Sequence, residues 1–99
     1  MDALRIVWKR LALRRVDEIS SWYAENMGIT AARHFLEGIE NTVLTLAHSP
    51  HVGTLDERRS NSKIKYYSFL SHPKYRIIYY FNSRTIYVVT IYRTLMRRG

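Results

Sequence analysis

Two runs near the end of the chain, Tyr75-Arg76-Ile77-Ile78-Tyr79-Tyr80-Phe81 and Ile86-Tyr87-Val88-Val89-Thr90-Ile91-Tyr92, are dense in β-branched and aromatic residues. Such runs fit a pleated, half-buried surface and predict two strands. Asn82-Ser83-Arg84 between them predicts a tight hairpin connection. A hairpin this apolar has to bury at least one face against another layer, so the rest of the chain must supply that layer.

The period changes twice ahead of it. Leu4-Arg5-Ile6-Val7-Trp8-Lys9 alternates, with Leu4, Ile6 and Trp8 on one side, as in a short half-buried strand. Over Leu11–Met27, the residues Ala12, Val16, Ile19, Tyr23 and Met27 recur at three or four positions and form one stripe of an amphipathic helix. Gly28 is placed to end that helix in a left-handed cap, and Thr30 to cap the next. The stripe Ala32, Phe35, Ile39, Val43, Leu46 predicts a second helix over Ala31–Leu46, stopped by Ser49-Pro50. A short break between two long stripes makes an antiparallel helical hairpin. Pro50 to Asn61 reads as a polar loop, and Ile64 to Phe69 as a further strand punctuated by His72-Pro73.

The order is therefore β-α-α-β-β-β, an α+β fold with a helical hairpin packed on one face of an antiparallel sheet. Its core is expected to hold Val16, Ile19, Phe35, Ile39 and Val43. The uncovered face takes the alternate strand residues Arg76, Ile78 and Tyr80, with Lys63, Lys65 and Tyr67 on the strand before them.

Charge is divided as sharply as hydropathy. Every acid lies before residue 58, where six bases and eight acids leave about −2; ten bases and no acid beyond it leave +10, together the chain's +8. Seven of the eight tyrosines lie in the same basic part. A basic, aromatic surface without acids suits a polyanion or an acidic partner. Ninety-nine residues, 46% of them apolar, are read as one folded domain over 1–99 rather than a disordered basic tail. The absence of cysteine excludes disulfides and thiolate metal sites. No apolar run approaches the ~20 residues of a membrane span, and no signal-peptide layout opens the chain, so a cytoplasmic protein without membrane association is expected.

With these elements in place the chain resembles the RelE/ParE superfamily of type II toxins. The matching stretches are Ala31-Ala32-Arg33-His34-Phe35, the run Leu46-Ala47-His48-Ser49-Pro50-His51-Val52-Gly53, the strand Tyr75-Arg76-Ile77-Ile78-Tyr79, and the basic end Arg93-Thr94-Leu95-Met96-Arg97-Arg98. The long helices and the Leu-x-x-x-Pro-x-x-Gly run resemble the ParE, or plasmid-stabilisation, type more than the RelE type. The resemblance implies a growth-inhibiting toxin held by a cognate antitoxin with an acidic tail. ParE-like members poison DNA gyrase, whereas RelE-like members cut messenger RNA on the ribosome. Carried over by position, an RNA-cutting member would use Lys63, Lys65, Arg76 and Tyr92-Arg93. Here the segment between Lys65 and Arg76 is longer than in such members, and Tyr92-Arg93 stands where several have a histidine.

The residues permit both readings. Cleavage through a 2′-hydroxyl needs a base, an acid and cations around one phosphate. Arg76 suits the last role, since its fork binds two phosphate oxygens, although an uncovered strand face also accepts an arginine. Lys63 and Lys65 either follow a phosphate backbone or guard a strand against edge pairing. Tyr92 either donates a proton or packs, and Arg97 and Arg98 add target-binding charge. His34, His48, His51 and His72 show no metal-ligand spacing, and no cofactor motif is present, so no metal and no cofactor is expected. Three functions remain: a gyrase-binding poison with no catalytic group, a ribosome-dependent endoribonuclease, and a generic basic module for nucleic acid.

Overall fold

The computed structural model describes residues 3–71 and 74–94. The chain forms β1 (Arg5–Trp8), α1 (Arg10–Met27), α2 (Ile29–His48), β2 (Thr54–Leu55), β3 (Tyr67–Ser71), β4 (Tyr75–Phe81) and β5 (Thr85–Arg93), with a 3-10 turn at Pro50–Val52. The strands make one five-stranded sheet in the order β1-β5-β4-β3-β2. The meander is antiparallel, as the pattern predicts, but β1 pairs with β5 in parallel. Asn82 closes the β4–β5 hairpin: its N–H donates to the Thr85 carbonyl, and its Oδ1 accepts from the N–H groups of Arg84 and Thr85.

The helices follow their stripes but meet more abruptly than expected. One residue, Gly28, separates them, and Thr30 lies inside α2 rather than capping it. Gly28 has φ 101° and ψ 163°, so the expected left-handed cap is replaced by an extended positive-φ conformation that essentially only glycine adopts. That single residue serves as the end of α1 and the start of α2.

Ala12, Ile39, Val43, Leu46 and Ala47 from the helices are buried against Tyr75, Ile77 and Tyr79 of β4 and Ile86, Val88 and Ile91 of β5. Val16, Ile19 and Phe35 join this core only partly buried, with Phe35 tilted against Tyr23 and edge-on to Tyr75. On β4 the alternation is strict. On β5 it is not: Ile78 pairs with Thr90 while Tyr79 pairs with Val88, which leaves Val89 without a partner as a bulge.

The expected strand over Ile64–Phe69 starts three residues late. Asn61 Oδ1 accepts from the N–H groups of Lys63 and Ile64, and Ser60 Oγ accepts from the N–H of Tyr66. These side chains engage donors that a ladder would require, so the segment stays a turn until Tyr67. Lys63 and Lys65 therefore precede the strand, and Tyr67 pairs with Tyr79 on the helix side instead of joining the uncovered face. The predicted loop holds the two-residue β2, too short to show alternation.

The Leu46-x-x-x-Pro50-x-x-Gly53 run works through Tyr79. The fully buried Tyr79 ring sends its hydroxyl out of the core, where it donates to the Pro50 carbonyl at 2.8 Å and accepts from the Gly53 N–H at 3.1 Å. A Cβ on Gly53 would overlap that hydroxyl and stand 2.9 Å from the Ser68 carbonyl, so the glycine is required for space. Gly53→Ala is expected to cost at least about 1–3 kcal/mol by overpacking. Denaturant titration measures it, and part of the loss should return in a Tyr79→Phe background, which lacks the overlapping oxygen.

Burial pushes the Tyr79 hydroxyl up from 10.0 to about 12, and the charge of Tyr67 adds to this against the opposing Gly53 N–H bond. Its folded-state value lies above the unfolded one, so its contribution is fully present below pH 10.0 and is lost as the pH rises toward about 12. Stability should fall over that window, and less steeply in Tyr79→Phe, as read by denaturation midpoints at stepped alkaline pH.

Candidate functional site

The helices cover one face of the sheet and leave the other open. Strand pairing puts Arg76, Ile78 and Tyr80 of β4, Thr90 and Tyr92 of β5, and Ser68 and Leu70 of β3 on the open face. Its middle is closed, since Ile78 and Thr90 are buried, and its accessible positions lie toward the two ends of the strands.

At one end Arg76 is paired across the ladder with Tyr92 and with Leu70, and its Nη1 donates to Ser68 Oγ at 3.2 Å. Tyr92 borders a cleft of about 460 Å³ with Asp56, Arg58 and Arg59. The one ion pair among the described residues, Arg59 to Asp56 at 3.4 Å, lies here. Its side chains are partly exposed, so solvent screens the pair, and Asp56 also organises its own turn by accepting from the Arg59 N–H.

At the other end Tyr80 and Tyr87 stack across β4 and β5 with centroids 4.7 Å apart and planes 20° apart. Tyr66 meets Tyr80 edge-on, and the Lys9 ammonium lies 5.8 Å above the Tyr87 ring. Lys63 and Lys65, both exposed, line a cleft of about 520 Å³ beside Tyr80, Phe81 and His51. Alternation alone brings Tyr80 to the open face; Tyr87, Tyr66 and Lys9 escape it, because they come from other strands and only their pairing assembles the array.

The residues named for RNA cleavage are thus not gathered in one place. Arg76 and Tyr92 share one end of the open face, while Lys63 and Lys65 line a cleft with Tyr80 beyond the start of β3. Arg93 faces the helix side, where it pairs across the ladder with Tyr75 and lines a cleft with Glu18, Ile19 and Trp22 of α1. Arg97 and Arg98 lie outside the described residues, as does His72. His34 lines a cleft with Tyr23 and Tyr75, His48 Nδ1 is 3.0 Å from the Leu44 carbonyl of its own helix, and His51 stacks edge-on to Phe81. Among the described residues no three His, Cys, Asp or Glu side chains cluster as a metal site, and no helix is long and apolar enough to cross a membrane.

The Arg93 pocket is electrostatically unusual. The Tyr75 hydroxyl shares a hydrogen bond with that of Tyr23 at 2.9 Å. Burial, then Tyr23, hold Tyr75 well above the ordinary tyrosine range, and the Arg93 charge acts in the opposite sense. Arg93 Nε is buried without a hydrogen-bond partner, the one such side-chain atom among the described residues.

The family described as ParE toxin of type II toxin-antitoxin system, parDE, matches residues 6–98 of this sequence. A chain of the structure titled "Chromosomal ParDE TA system from P. aeruginosa" superposes with a TM-score of 0.74, covering 92% of this chain and 96% of that one. At 16% identity this is a likeness of fold. No curated protein matches the sequence significantly.

A buried polar atom without a partner typically costs about 1–3 kcal/mol. Arg93→Met keeps the apolar stem and removes that atom, so its melting temperature is expected to equal or exceed that of the parent. A fall of several degrees in a thermal melt would instead assign the guanidinium a structural role.

Proposed function

Because the chain belongs to the ParE toxin family of type II toxin-antitoxin systems, we propose that it inhibits growth by poisoning DNA gyrase and that a cognate antitoxin with an acidic tail neutralises it. The dispersal of its chemistry-bearing residues carries this reading. Cleaving RNA requires base, acid and cation around one phosphate. Arg76 and Tyr92 sit at one end of the open face, Lys63 and Lys65 border a separate cleft, and Arg93 is on the opposite face. A binding poison needs surface complementarity and no catalytic group, so this dispersal costs it nothing. The ribonuclease reading retains one supporting observation, the juxtaposition of Arg76 and Tyr92 across β4 and β5.

The antitoxin part of the reading is supported by charge and by exposed apolar surface. The chain carries +8 overall, and Leu13, Leu36 and Leu44 stand exposed on the helices. Trp8, Leu13, Val16, Leu36 and Ile39, with Glu40 at one side, border a groove of about 380 Å³ there. A disordered tail that brings acids and apolar anchors together gains from both, and accepts the ordering cost of folding on its partner. The place of action on this reading is the cytoplasm, and a carrier plasmid would be stabilised by loss of the shorter-lived antitoxin.

The test is a supercoiling assay on purified gyrase run beside a ribosome-dependent messenger RNA cleavage assay. Loss of supercoiling with accumulation of cleaved DNA is expected, relieved by the product of the neighbouring reading frame, with messenger RNA intact. Arg76→Ala should leave this inhibition within about a factor of three, since an arginine with one 3.2 Å hydrogen bond to Ser68 holds little of the fold. Messenger RNA cleavage that disappears in Arg76→Ala would replace gyrase with the ribosome.

A further inference from the structure

Three features that lower stability meet at the tip of the helical hairpin. The first is exposed apolar surface. Met27 continues the stripe that buries Ala12 and partly buries Val16, Ile19 and Tyr23, yet it stands 63% exposed. Ile29, on the other side of Gly28, stands 64% exposed, and no other large apolar side chain among the described residues is as accessible as these two. The second is Gly28 itself. A Cβ there would meet nothing within 4 Å, so the glycine serves its positive-φ conformation and not a need for space. The third is the start of α2, where Gly28 holds the position of a capping side chain and supplies none for the free N–H groups of the first turn.

None of these serves the packing of helices on sheet. Beyond Tyr23, whose hydroxyl meets that of Tyr75, every residue from Glu25 to Thr30 is exposed. Polar residues at 27 and 29 would remove the apolar exposure without touching the core. Local rules broken together at one place, with no gain to the fold, mark a surface kept for a partner.

The kind of partner follows from size, charge and shape. Together the two side chains expose on the order of 250 Å², about a third of what each side contributes to a stable interface, so two copies joined tip to tip would not hold. The charged residues nearest in sequence are Glu25 and Arg33, one of each sign, which gives no attraction to nucleic acid or to an anionic lipid surface. A projecting apolar tip needs a hollow to enter. A folded protein offers one ready-made, whereas a disordered antitoxin tail does not, and the groove bordered by Leu13, Val16 and Leu36 suits such a tail better.

We infer that Met27 and Ile29 form an anchor that enters an apolar pocket on the folded protein that the toxin inhibits. This rests on the toxin reading of the chain. Gyrase is the partner named by that reading, and the anchor does not depend on the name.

The test replaces both side chains by polar ones of similar shape, Met27→Gln with Ile29→Thr, in the full chain. Both positions are on the surface, so the melting temperature should stay within about 3 °C of the parent's. Inhibition of purified gyrase in the supercoiling assay should weaken at least about tenfold, as the loss of interface anchors does. Growth arrest on induction, at matched protein level, should be lost, while affinity for the antitoxin stays unchanged. Val52→Thr alters another exposed apolar side chain, beyond the opposite end of α2, and should change none of these. Parental growth arrest in the double variant overturns the inference, and so does an equal loss in Val52→Thr. Lost antitoxin affinity with growth arrest retained would assign the tip to the antitoxin and overturn it as well. A parent chain that leaves gyrase uninhibited, beside a double variant that loses growth arrest with antitoxin binding intact, would sink the gyrase reading and leave the anchor standing for another protein target.

Discussion

The pairing of β4 with β5 has one more residue on the second strand than on the first, and that extra residue, Val89, sets the facing of everything after it. Before the bulge, Ile86 and Val88 point toward the helices; after it, Ile91 and Arg93 do. Continued alternation from Ile86 would have put Tyr92 in the core and Arg93 on the open face. The bulge exchanges them. It returns a large aliphatic side chain, Ile91, to the core, and it leaves Arg93 with a buried Nε that has no partner among the described residues. The same irregularity places Tyr92 opposite Arg76. Core packing and site geometry therefore depend on one unpaired residue.

A second constraint ties the long connection after α2 to that strand pair. Tyr79 is held in the core by its ring and at the surface by its hydroxyl, which bridges Pro50 and Gly53. The bridge fixes where the chain leaves the helices, and β2 follows directly to pair with β3. From there the side chains of Asn61 and Ser60 hold the turn that carries Lys63 and Lys65. Two exposed lysines are thus positioned by a chain of short-range bonds that begins in the core.

The two helices carry Arg10, Arg14, Arg15 and Arg33 beside their five acids, so their surface is of mixed charge. The acids of α1 and α2 sit on the exposed sides of the helices, while the cations of the open face come from the turns and strands. The proposed antitoxin site follows from this geometry: a groove of the helices whose lining is apolar apart from Glu40.

The sequence alone determined the element order, both helices, the β4–β5 hairpin and the helix-side core, because period and propensity are local and strong over Leu11–Met27, Ala31–Leu46 and Tyr75–Tyr92. The likeness to ParE toxins was also legible there, through a Leu46…Pro50…Gly53 run whose spacing serves the Tyr79 hydroxyl. What the sequence did not determine were matters of register and competition. The start of β3 was decided by side chains that capture backbone donors, Gly28 by a conformation that compresses the helix break to one residue, and the facing of Tyr92 and Arg93 by a bulge. None of these changes the composition or period of its own segment. Each is a choice between nearly equal local options that only the packing of the sheet against the helices resolves, and they are the choices that separate Arg93 from Arg76 and bring Lys9, Tyr87, Tyr80 and Tyr66 into one row.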